Sequence, residues 1–61
     1  MTDDRDLTAK YMAAAGMLME DLSAKLILDP LAPERVVELR RTGRDLLAIA
    51  DIVDALRRAK G

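Results

Sequence analysis

The chain has 61 residues, enough for one domain and few enough that a stable fold needs a staple beyond its own core. It contains no Cys and no His, which excludes disulfides, thiolate metal sites, thiol catalysis and the commonest metal ligand and general base. Ten basic residues balance 11 acidic ones and 51% of the chain is apolar, so nothing advertises nucleic acid or an anionic membrane, disorder is disfavoured, and another chain is the expected staple.

In chain order, Thr2-Asp3-Asp4-Arg5-Asp6 comes first. Thr2, Asp3 or Asp4 suits a helix cap, and the acidic cluster complements the positive end of a helix. Such a start is unlike a secretory signal or a transit peptide. From Leu7 the apolar residues recur at helical spacing. One seam runs Thr8, Met12, Ala15, Met19, Leu22, Leu26 in alternating steps of four and three, a heptad pattern. Leu7, Tyr11 and Leu18 widen it on one flank. Ala9, Gly16 and Ser23 form a small-residue column on the other, and Asp6, Lys10, Glu20, Asp21 and Lys25 take the remaining surface. The longest apolar run, Tyr11 to Met19, is too short to span a bilayer.

The stretch Asp29-Pro30-Leu31-Ala32-Pro33-Glu34 divides the chain. A residue before proline is steered out of the helical region, so the first helix ends at Asp29. Pro33 suits the first turn of a second helix, where its missing N–H costs nothing, and Glu34 complements that helix's positive end. The second seam runs Leu39, Thr42, Leu46, Ile49, Val53, Leu56. Val36, Gly43 and Ala50 flank it on one side and Ile52 on the other. Gly43 offers an alternative break at Thr42-Gly43. One continuous helix is the preferred reading, because the seam stays in phase across the glycine.

The expected fold is all-α, an antiparallel two-helix hairpin with helix one over about residues 3–28, a turn at 29–33 and helix two over about 33–59. A fold-back at residue 31 brings Asp3, Asp4 and Asp6 beside Arg57, Arg58 and Lys60, and Glu20 and Asp21 beside Arg41 and Arg40. It also sets Gly16 against Leu46, Gly43 against Met19 and Met12 against Ala50. Two helices cannot hide this many apolar positions from each other. Two hairpins packed face to face, or a heterologous helical partner, complete the core as a four-helix bundle.

Candidate chemistry is sparse. Arg35, Arg40, Arg41 and Arg44 cluster on helix two and read either as a phosphate-binding stripe or, preferably, as a solvated face balanced by Glu34, Glu38, Glu20, Asp21 and Asp45. Asp51 and Asp54, with Asp45, read as a polar outer face rather than a hard-cation site. Ser23 has no histidine to activate it, and the isolated Gly16 and Gly43 form no phosphate loop. Met12 and Met19 sit on the seam. Met17 lies opposite it and, with Leu18, reads either as ordinary exposed apolar surface or as part of a partner surface.

In its length, its single central turn, its two seams and the run Lys25-Leu26 just before the bend, the chain resembles the Rop class of plasmid-encoded RNA-binding hairpins. The resemblance implies dimerisation into a four-helix bundle. That class binds RNA with polar and basic residues and a central aromatic on the outward face of helix one. Here the middle of helix one is Ala13-Ala14-Ala15-Gly16, with only Lys10 and Lys25 basic nearby, so the resemblance carries architecture and no site residues.

The expected function is therefore a small non-catalytic interaction module, an adaptor or regulator in the cytoplasm. It is not an enzyme and uses no cofactor and no metal. Its partner is itself or another helical protein. The association residues are Met12, Met19, Leu22 and Leu26 with Leu39, Leu46, Ile49 and Val53. The alternative is a nucleic-acid-binding regulator acting through Arg40, Arg41 and Arg44.

Overall fold

The computed structural model describes residues 4–60. They form two helices, α1 (Asp4–Leu28) and α2 (Glu34–Lys60), and no strand. Thr2 and Asp3, two of the candidate caps, lie outside the described residues. The division between the helices follows from local chemistry. The N–H of Asp29 still donates to the carbonyl of Lys25 at 3.0 Å, and Pro30 then has no N–H with which to continue the ladder. The chain turns, and the N–H of Arg35 donates to the carbonyl of Ala32 at 3.0 Å as α2 begins. Pro33 stands just before α2 rather than inside its first turn. Its missing N–H is harmless in either place. The helix continues through Gly43 without a break.

α1 turns Leu7, Thr8, Tyr11, Ala15, Leu18, Leu22 and Leu26 towards α2, all half-buried. α2 answers with Arg35, Glu38, Thr42, Leu46, Ile49, Val53 and Leu56. Here the expected seam of α1 needs correction. Tyr11 and Leu18, placed on a flank, are part of the contact, whereas Met12 and Met19 are 56% and 52% exposed. The helix is rotated towards its Leu7, Tyr11, Leu18 edge. A smaller correction applies to α2, whose contact starts with Arg35 and Glu38 while Leu39 remains half exposed.

A polar network accompanies both shifts. Glu38 Oε2 lies 2.9 Å from Lys25 Nζ across the hairpin, and its Oε1 accepts from Arg35 Nη1. Arg35 Nε in turn donates to the carbonyl of Asp29 at 2.8 Å, satisfying a carbonyl left over at the C-terminal end of α1. Lys25 is one heptad beyond Leu18, so the ion pair and the Leu18 contact lie on the same edge of α1.

The hairpin measures 44 × 15 × 14 Å, with a radius of gyration of 14.3 Å. A compact chain of this length would have about 10.5 Å. Val53, 6% exposed, is the buried hydrophobic residue among those described, and every other apolar side chain of the contact keeps one side open. Two helices supply too little surface to enclose a core.

Candidate association surface

The two sides of the hairpin differ in chemistry. On one side a shallow groove between the helices is lined by Leu18, Asp21, Leu22, Lys25, Glu38, Arg41, Thr42 and Asp45. This side is charged, and the Lys25–Glu38 pair crosses it. On the other side the groove is lined by Met12, Ala15, Leu46, Ile49, Ala50 and Val53, with Asp54 and Arg57 at one end. It is an open groove of about 260 Å³ between walls that are almost wholly apolar. Ordered water needs polar partners that such walls lack, so the groove suits side chains.

Helical spacing extends this apolar side along both helices. Met19 is one heptad from Met12, and Gly16 and Ser23 lie beside them. On α2, Val36 and Gly43 are whole heptads from Ala50, Leu39 is one heptad from Leu46, and Leu47 stands between Gly43 and Ala50 on the helix surface. Leu47 is 69% exposed. Met12, Met19, Leu39, Leu46 and Ala50, with the two glycines, make an apolar face on a single side of the molecule, and Leu47 borders it on the column it shares with Arg40 and Asp54.

The glycines belong to this face. A Cβ placed on Gly16 or on Gly43 would meet no other atom within 4 Å. The expected insertion of Leu46 at Gly16 and of Met19 at Gly43 within one hairpin therefore does not occur. Neither glycine adopts a positive φ, so the backbone does not require them. Each costs about 1 kcal/mol relative to Ala in a helix interior. Nothing inside the hairpin repays that cost.

The association residues expected from the sequence divide between two surfaces. Leu22, Leu26, Leu46, Ile49 and Val53 lie in the contact between α1 and α2, while Met12, Met19 and Leu39 stand on the open face. Met17 is exposed on the far side of α1, and Leu18 is half-buried against α2, so the two do not form one patch. The periodicity that marks a helix–helix seam is the same for either surface, which is why sequence merged them. Leu47 is among the apolar residues that the sequence leaves surplus to a two-helix contact, and Gly16 and Gly43 stand beside the open face rather than under a side chain of the same hairpin. Their signal was a pair of helix-interior glycines on columns flanked by large apolar residues.

The arginine cluster also divides. Arg35 is committed to Asp29 and Glu38 and is half-buried. Arg40, Arg41 and Arg44 are exposed on the outer surface of α2, next to Val37 and Asp45, and among the described residues none of the three forms an ion pair. Arg58 pairs within its own helix with Asp54 at 2.8 Å, while the expected meeting of the acidic N-terminus with the basic C-terminus involves Asp3, Asp4 and Lys60, whose side chains lie outside what is described. Asp21 and Arg41 line the same groove, as the fold-back implied. Among the described residues no three acidic side chains converge as metal ligands, and no helix is long and apolar enough to cross a membrane. Comparison of the chain with protein families, with curated proteins and with solved structures finds no match.

Proposed function

We propose that the protein is a non-catalytic helical interaction module, a small adaptor or regulator in the cytoplasm that works by completing a helical bundle through its open face. The observation that carries this reading is the Met12, Ala50 side of the hairpin, an apolar groove whose neighbouring helix columns hold Gly16 and Gly43 with open space beside each. A hairpin whose buried hydrophobic core amounts to Val53 gains stability and definition when that face is covered.

The test is sedimentation and native mass spectrometry of the protein purified gently from its own host. A dimer, or a complex with a second helical polypeptide, is expected. A stable, well-folded monomer at micromolar concentration would overturn the proposal.

A second reading, nucleic-acid binding, draws on the exposed Arg40, Arg41 and Arg44 stripe. It requires affinity that falls steeply with salt. It is disfavoured by the near-neutral charge and by the lack of any aromatic residue besides Tyr11 for base stacking. Absence of binding to RNA or DNA at low ionic strength eliminates it.

A further inference from the structure

We infer that the open face is covered by a second copy of this chain, in one particular arrangement. The two hairpins are related by a two-fold axis parallel to the helices, so that α1 of each lies antiparallel on α2 of the other and both turns sit at the same end. The inference rests on the interaction-module reading and says what the partner is and how it docks.

Area is the first argument. The chain exposes 5039 Å². A compact monomer of this mass exposes about 3,900 Å². Removing that excess of roughly 1,100 Å² from each of two copies buries about 2,200 Å² in all, the size of a stable protein–protein interface.

Shape decides the arrangement. Gly16 is the midpoint of α1 and Leu47 the midpoint of α2. Lys25 opposite Glu38 sets the two midpoints level with each other. Two hairpins stacked in full overlap have two symmetric choices. With turns at opposite ends, α1 lies on α1 and α2 on α2. Gly16 would then meet Gly16 of the second copy, leaving a void, and Leu47 would meet Leu47, with neither side chain entering a notch. With turns at the same end, Leu47 of each copy is level with Gly16 of the other, and Met19 comes within one residue of level with Gly43. Large side chains enter the open notches at both places, and the two-fold axis repeats the fit.

The experiment uses the absence of native Cys. Leu31, in the turn, is 93% exposed, so Leu31→Cys carries a spin label without disturbing the packing. The oligomer mass of the labelled chain is measured by sedimentation, and the label-to-label distance by pulsed electron spin resonance. A dimer with the two labels within about two helix diameters, ~20–25 Å, is expected. A dimer with labels separated by the 44 Å length of the hairpin would overturn the arrangement and leave the interaction-module reading standing. A monomer overturns both, and a complex formed only with a different polypeptide overturns the second-copy inference alone.

Discussion

Lys25 Nζ stands 2.9 Å from Glu38 Oε2, and this ion pair bridges α1 and α2. It fixes which levels of the helices face each other, and Arg35 locks the same carboxylate to the turn by reaching both Glu38 and the carbonyl of Asp29. The Glu38 side chain is 22% exposed and the Lys25 side chain 53%, so the network is screened at one end and sheltered at the other.

Glu38 should therefore matter more than either of its partners. Glu38→Gln removes the charge that both cations share and is expected to cost about 1–2 kcal/mol. Lys25→Met is expected to cost under about 1 kcal/mol, as exposed pairs do. A double-mutant cycle on Lys25 and Glu38, followed by thermal unfolding at low and high salt, checks this. A coupling that does not shrink with salt would contradict the assignment.

Val53 and Leu31 should stand at opposite ends of a stability scale. Val53→Ala removes two methyl groups from the buried core position and is expected to cost about 2 kcal/mol. Leu31→Ala touches a side chain already in solvent and should stay within about 0.5 kcal/mol. Urea unfolding of the two variants at one protein concentration measures both.

Leu46→Asp places a charge where the hairpin contact meets the open groove. The half-buried carboxylate stands among apolar side chains, so helicity and association are expected to fall together. Circular dichroism and sedimentation of the same sample test this. Full helicity with an unchanged oligomer mass would count against the packing described here.

The glycines give a prediction of opposite signs. Gly16→Ala and Gly43→Ala should each favour the helix by about 1 kcal/mol, because the new Cβ meets nothing within the hairpin. On the open face the same methyl groups fill the notches that Leu47 and Met19 of a second copy would use. Helicity at high dilution should rise while the dimer weakens. Concentration-dependent melting separates the two effects, and a rise in both would show that the notches are not used.

Much of this architecture is a matter of local rules. Pro30 lacks an N–H, so α1 stops before it wherever the rest of the chain goes. Heptad spacing runs unbroken from Val36 to Ala50, so α2 continues through Gly43 even though glycine is a poor helix former. These features, with the absence of Cys and His, were legible in the order of residues alone. The rotation of each helix about its own axis was not. α1 is apolar over so much of its circumference that two stripes, Met12 with Met19 and Tyr11 with Leu18, serve equally well as a seam, and periodicity gives both the same score. Tertiary structure breaks the tie through contacts distant in sequence. Lys25, though exposed, meets Glu38 across the hairpin, Leu18 packs against α2, and Met12 and Met19 face outward beside the two glycines. A pattern of apolar residues says how many faces must be covered. Which face the chain covers for itself is decided only when the two helices pack.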